Sequence, residues 1–176
     1  MKKTTFIFAA TLLLCSWVVH ADVTEIAPLQ KCGAAKLRVL FWDVYESTLF
    51  TPSGNYEPDA RPFRLDIRYL RDISAKDLIS QTKKEWRAQG LANPQQDEWL
   101  ITLADIWPNV ATGDTLVLLV DEKNHSEFSM NGVEIGRIES AQFSAAFAGI
   151  WLSPNTTRPA LRAALIRGHK PLTPSP

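Results

Sequence analysis

The chain has 176 residues, and its 19 basic and 19 acidic residues balance to a formal net charge of zero. Such a balance gives no reason to expect nucleic acid or an anionic membrane as a partner, because both attract an excess of Lys and Arg. The length is sufficient for one domain with a sizeable hydrophobic core.

The N-terminus has the pattern of a cleaved secretory signal. Two lysines precede the apolar run Phe6–Val19, which is too short for a comfortable membrane span. The small residue Ala21 predicts cleavage before Asp22. We therefore expect residues 1–21 to be removed and the mature protein to be soluble in a bacterial periplasm.

The most apolar part of the remaining chain is LRVLFWDVYESTLF, from Leu37 to Phe50. Apolar residues occur on both alternating faces, which predicts one long strand that is covered on both sides and ends before Pro52. Asp43 would share a face with Phe41 and Tyr45, where we expect it to meet an arginine or backbone amides.

A second strand and two helices follow. Strict alternation in PFRLDIRYL predicts a strand with Phe63, Leu65, Ile67 and Tyr69 facing inward and Arg64, Asp66 and Arg68 facing outward. A helix is predicted from its cap at Ser74 to its stop at Gly90, and a second helix from Gln95 to Trp107.

The C-terminal half predicts a meander of about three strands over residues 113–138, with a hairpin turn at Asn131-Gly132. Two more helices are predicted at Ala141–Leu152 and Pro159–Arg167. Strands grouped apart from helices indicate the α+β class, with an antiparallel sheet that has helices on one side.

Motifs that carry chemistry are scarce. After signal removal the chain keeps two histidines, His125 and His169, and the single thiol Cys32, none of them at metal-ligand spacing. No phosphate loop, nucleophile elbow or dinucleotide fingerprint is present, so we expect no cofactor and no metal. The tryptophans suit core packing, with an apolar ligand pocket as the alternative.

Three segments resemble the bacterial exported branch of the chalcone isomerase-like family. They are LRVLFWDVYESTLF, YLRDISAKDL and MNGVEIGRIESAQFSAAFAGIWLSPNTTRPALRAALI, within the similarity from Leu37 to Gly168. The resemblance implies an open-faced β-sandwich in which helices cover a large antiparallel sheet. Some family members cyclise chalcones to flavanones, and others bind fatty acids in the cleft between sheet and helices.

The polar residues of the family's enzymes are not reproduced here. Their arginine falls on Pro28, their threonine on Leu40, their tyrosine near Ser74 and their asparagine near Gln81. A proline cannot stabilise the charge that develops during cyclisation. We therefore expect no chalcone isomerase activity.

The sequence thus predicts a domain over residues 22–168, a flexible tail at 169–176, and a periplasmic, non-enzymatic protein that binds a small apolar or amphiphilic molecule, fatty acid-like or aromatic. By the family's geometry, the ligand would contact Arg38, Leu40 and Trp42 from the sheet and Leu78, Gln81 and Thr82 from the first helix. Two alternatives are an isomerase or lyase for an enone-like substrate and an envelope module that binds a protein partner.

Overall fold

The computed structural model describes residues 28–168, so the predicted signal peptide and the predicted tail lie outside the described residues. The strands are β1 (Gln30–Val39), β2 (Trp42–Thr51), β3 (Phe63–Tyr69), β4 (Thr115–Val120), β5 (Ser126–Met130) and β6 (Val133–Ile138). The helices are α1 (Ala75–Ala88), α2 (Gln96–Ile106), α3 (Ala141–Leu152) and α4 (Pro159–Leu165). Within 28–168 no helix combines the length and the apolar character needed to cross a bilayer.

The six strands form one sheet in the order β1-β2-β3-β4-β5-β6, and each neighbouring pair is antiparallel. Helices α1 and α2 lie between β3 and β4 in the chain, and α3 and α4 follow β6. This order confirms the predicted α+β class with an antiparallel sheet.

The alternation predicted for β3 is present. Phe63, Leu65, Ile67 and Tyr69 are all buried, because residues two apart on a strand share a face. On the opposite face Arg64 forms an ion pair with Asp66, with Nε and Oδ1 2.9 Å apart. Strand β3 therefore presents one apolar face to the helices and one polar face to the other side of the sheet.

Side-chain caps begin two of the helices. The Ser74 hydroxyl accepts a hydrogen bond from the Asp77 amide over 3.1 Å at the start of α1, which confirms the predicted cap. Ser140 accepts from the Phe143 amide over 3.2 Å at the start of α3. Each cap satisfies one of the amides that a first helical turn leaves free.

The core between the sheet and the helices is rich in aromatic rings. Phe143 and Phe147 of α3 stack with their centroids 5.5 Å apart, and Phe128 of β5 meets both rings edge-on. Trp86 and Trp99 are 1% and 4% exposed, which confirms the packing interpretation for these two tryptophans. Large rings at close range provide much of the burial that a small domain needs.

The prediction of a single long strand from Leu37 is wrong. The chain reverses at Leu40 and Phe41, and Val39 pairs with Trp42 across a two-residue turn. Leu40 has a φ of 54°, a conformation that costs a non-glycine residue about 1–2 kcal/mol. The turn contains no Gly, Asn, Asp or Pro, so the sequence shows none of the usual turn signals there.

The part of strand β1 before Leu37 is absent from the predicted elements, because its segment KCGAAK has little strand character. Helix α4 packs directly on this strand at Gly33. A Cβ atom at this position would lie 2.3 Å from the Leu165 carbonyl oxygen, so only glycine allows the two backbones to approach this closely.

Candidate functional site

A cavity of about 330 Å³ lies between the sheet and the helices, at the end of the sheet where β1 turns into β2. Strands β1–β4 form its floor, and α1, α3 and α4 form its walls. The lining residues are Leu37, Val39, Val44, Tyr45, Ile67, Tyr69, Ile73, Asp77, Leu78, Gln81, Thr82, Glu85, Trp107, Leu116, Phe147, Ile150, Trp151, Arg158 and Leu161. The lining is mostly aliphatic and aromatic, with a few polar groups, as in many small-molecule sites.

The periodicity of α1 explains its contribution to the cavity. Leu78, Thr82 and Glu85 follow one another at spacings of four and three residues, which places them on one face of a helix. The Thr82 hydroxyl donates to the Leu78 carbonyl over 3.0 Å, so its polar group is already satisfied. This helix face therefore offers apolar surface at Leu78 and a carboxylate one turn beyond Thr82.

Glu85 is a buried acid, 8% exposed, and other side chains hold its carboxylate. Gln81 donates to Oε1 over 2.8 Å from the same helix. Thr157, which precedes α4, donates its hydroxyl to Oε2 over 2.5 Å. A buried carboxylate needs such donors, because removing it from water is costly. The three side chains fix the polar end of the cavity and tie α1 to the start of α4.

Tyr45 brings a phenol into the same region. The Trp151 indole Nε1 donates to its hydroxyl oxygen over 2.9 Å. Burial, and to a smaller extent the nearby Glu85 carboxylate, raise the pKa of Tyr45 to about 12, while the Trp151 donor and Arg158 act in the opposite direction. The hydroxyl is therefore a neutral group at physiological pH, able to donate one hydrogen bond.

Arg158 lies at the edge of the cavity, at the N-terminus of α4. It also borders a shallower groove along β1 and α4, which shares Leu37 and Leu161 with the cavity. Within the described residues its guanidinium forms no ion pair, whereas Arg38 and Arg64 both do. Arg158 is thus the arginine of this cavity that can meet an anionic group.

Trp107 contributes its ring to the lining. Its indole Nε1 is buried and has no hydrogen-bond partner among the described residues. Buried polar atoms are paired in the large majority of cases, and an orphaned donor costs about 1–3 kcal/mol. Because this nitrogen is closed to solvent, Trp107 contributes ring surface to the cavity and no accessible donor.

The structure brings together only half of the predicted site. Leu78, Gln81 and Thr82 line the cavity, and their role in binding stays a prediction. Arg38, Leu40 and Trp42 lie outside the lining, because the turn at Leu40 carries them to the tip of a hairpin. Leu40 is 83% and Trp42 67% exposed.

Arg38 is instead the partner of Asp43. The two residues pair across β1 and β2, and Arg38 Nε lies 2.8 Å from Asp43 Oδ1. Lys36 contacts the other carboxylate oxygen at 3.1 Å. Both contacts hold the pKa of Asp43 below its usual range. The expectation that Asp43 meets an arginine is confirmed, but this arginine is one that the sequence had assigned to the cleft.

Sequence reasoning identified three of the lining residues, and among those that it missed are Tyr45, Glu85, Trp151 and Arg158. A partial signal existed only for Glu85, which follows Leu78 and Thr82 on the helical face of α1. Among residues 28–168 no group of three or more His, Cys, Asp and Glu side chains could hold a metal ion.

Comparison with known proteins places this geometry in context. The family model described as chalcone isomerase-like matches residues 22–167. An uncharacterised protein of Haemophilus influenzae is 26% identical over 155 residues, which cover 88% of this chain and 76% of the relative. The crystal structure of a fatty-acid binding protein of Arabidopsis thaliana superposes with a TM-score of 0.62 at 10% identity, covering 78% of this chain and 86% of that one. This likeness confirms the fold that the resemblance implied.

Proposed function

The chain belongs to the chalcone isomerase-like family, and on that premise we propose that it binds a small apolar or amphiphilic molecule in the cavity without transforming it. The observation that carries the proposal is the cavity itself, a largely apolar volume of about 330 Å³ with polar groups gathered near Tyr45 and Glu85. A ligand with an apolar body and one polar end fits this distribution.

The polar groups support binding more than catalysis. Glu85 is held by two donors, and the Tyr45 hydroxyl already accepts from Trp151. The raised pKa of Tyr45 keeps it from supplying a phenolate at neutral pH. Arg158 provides the positive charge that a ligand carboxylate would meet.

The cavity volume limits the ligand. At about 30 Å³ for each water-sized group, 330 Å³ holds roughly eleven such groups. A medium-chain carboxylic acid or a compact aromatic compound fits within this limit, whereas a longer chain would have to extend through the opening.

Calorimetric titration with straight-chain carboxylic acids tests the proposal. Affinity should rise from hexanoic to decanoic acid, because each buried methylene contributes about 0.8 kcal/mol, and should then level off at longer chains. Arg158→Gln should weaken the binding of the carboxylic acids more than the binding of the matching alcohols. No binding of any member of either series would contradict the proposal.

We further propose that binding takes place in the periplasm. The support is the signal pattern at residues 1–21, with cleavage expected before Asp22. Fractionation of the bacterial cells that naturally produce the protein, followed by N-terminal sequencing, tests this location. Recovery of the protein in the cytoplasmic fraction with residues 1–21 intact would refute it.

A further inference from the structure

The tip of the β1–β2 hairpin exposes more apolar surface than is usual for a turn. Leu40, Phe41 and Trp42 are 83%, 93% and 67% exposed, and Val39 beside them is 39% exposed. We propose that this hairpin tip, defined as Val39–Trp42, inserts into the interfacial layer of a lipid bilayer and docks the protein on a membrane surface.

The backbone conformation of the tip indicates that its apolar residues are exposed for a function and not by chance. Leu40 adopts a φ of 54° at the first central position of the turn, where glycine would be favoured. A leucine there is strained and gains little burial in return. Strain of this kind persists where another requirement maintains it, and contact with a membrane would supply that requirement.

The composition of the tip suits a membrane interface. Phe and Leu bury well among acyl chains, and Trp is enriched at the level of the lipid headgroups. The guanidinium of Arg71 lies 5.9 Å from the centre of the Trp42 ring, and Arg38 is at the base of the tip. Long basic side chains at this depth can extend to lipid phosphates while their stems contact apolar groups.

The size and shape of the tip favour a lipid surface over a protein partner. Its exposed apolar area is on the order of 500 Å², estimated from the typical areas of such side chains. A stable protein interface needs about 800 Å² on each partner. The tip is also a protruding turn of two residues, without a groove that a second copy or a peptide could fill.

Neither end of the described chain lies near the tip. Strand β1 begins at Gln30, which pairs with Thr51 at the opposite end of the hairpin. Gly168 lies at that same far end, beside Asn55. At about 3.3 Å per residue, the ten-residue strand separates Gln30 from Val39 by roughly 30 Å.

The cavity is continuous with the tip, because Val39 belongs to both. Docking at the tip would therefore turn the cavity-bearing end of the sheet towards the membrane. The β5–β6 turn lies at the same end, and Val133 next to it is 67% exposed. The docking inference does not depend on whether the cavity binds a ligand.

Vesicles of phosphatidylcholine with brominated acyl chains provide the test. Trp42 is the exposed tryptophan of the described residues, and the bromines should quench its fluorescence upon insertion. Because the overall charge is balanced, binding should change by less than about threefold between low and high salt. Trp42→Phe should abolish the quenching while sedimentation with the vesicles continues.

The double variant Leu40→Gly with Phe41→Ser tests whether the tip is needed for vesicle binding. Gly followed by Ser is favoured in this type of turn. The double variant should keep or raise the unfolding temperature and weaken vesicle binding at least tenfold. Ile101→Ser, which removes an apolar residue that is 65% exposed on α2, should leave binding unchanged.

Three outcomes would overturn the proposal. The natural protein could fail to sediment with vesicles, or the double variant could bind them as well as the natural protein does. The natural protein could also be a dimer that the double variant dissociates, in which case the tip contacts a second copy.

Discussion

Replacing Leu78 by tryptophan is expected to fill part of the cavity. Leu78 is half-buried on α1 and lines the cavity, so a larger side chain there extends into the open volume. The exchange adds roughly 60 Å³ of side-chain volume, which is the space of about two of the eleven water-sized groups. About two methylenes of a bound chain would then have no room.

The expected loss of affinity follows from those methylenes. At about 0.8 kcal/mol for each, excluding two costs about 1.6 kcal/mol, or roughly fifteenfold in the dissociation constant. The assay is displacement of anilinonaphthalene sulfonate fluorescence by decanoic acid. The expected result for Leu78→Trp is an affinity for decanoic acid about fifteenfold weaker than that of the natural protein.

A matched control separates blocking from unfolding. Ile101→Trp makes the same aliphatic-to-indole change on α2, where the side chain is 65% exposed and lies outside the cavity lining. Its affinity for decanoic acid should equal that of the natural protein, and both variants should unfold cooperatively. If Leu78→Trp folds and still binds decanoic acid with unchanged affinity, the ligand lies elsewhere and the reasoning is refuted.

Further predictions concern the interactions that hold the fold. In chemical denaturation, Tyr45→Phe should lower the free energy of unfolding by about 1–3 kcal/mol, because it leaves the Trp151 indole N–H without an acceptor. When Trp151→Phe is added, the total loss should differ from the sum of the two single losses. Asp43→Asn should lower the unfolding temperature above about pH 4. The difference in unfolding temperature should vanish as the pH falls through the lowered pKa of the carboxyl, because the ion pairs stabilise the fold only while the carboxyl is ionised. A difference that persists at lower pH would contradict the pairing. Gly33→Ala should lower the free energy of unfolding by about 1–3 kcal/mol, because the added methyl group clashes with α4. Gly149→Ala in α3 should leave the free energy of unfolding unchanged or raise it. Equal effects of the two changes would refute the close approach of β1 and α4.

Strands and helices with a clear hydrophobic period were predictable from the sequence. The alternation in β3 and the capped face of α1 both come from local constraints, namely which side of a strand or helix each residue occupies. The Asn131-Gly132 turn joins β5 to β6 as expected, because both residues tolerate positive φ. Such features depend on neighbours in the chain, so the sequence alone contains them.

The site was harder to predict because it depends on one turn. Apart from Arg38 and Asp43, LRVLFWDVY is apolar on both alternating faces, and a hairpin inside such a run has the same pattern as a long strand. Leu40 in the turn has none of the chemistry that normally identifies a reversal. Placing the turn there moves Arg38 and Trp42 out of the cleft.

The residues that form and support the polar end come from distant parts of the chain. Tyr45 and Trp151 are 106 positions apart, and Glu85 and Thr157 are 72 apart. No local pattern connects partners at such separations. Only the packing of α3 and α4 against the sheet brings them together.

The most direct test of the account is an isotope-filtered nuclear Overhauser experiment on the labelled protein with unlabelled decanoic acid. The account predicts contacts from the ligand's methylenes to the side chains of Leu78, Ile150 and Trp151. In Leu78→Trp these contacts should weaken at the ligand concentration that just saturates the natural protein, while the spectrum remains that of a folded protein. Contacts confined to residues outside the cavity, or no contacts at saturating ligand, would contradict it.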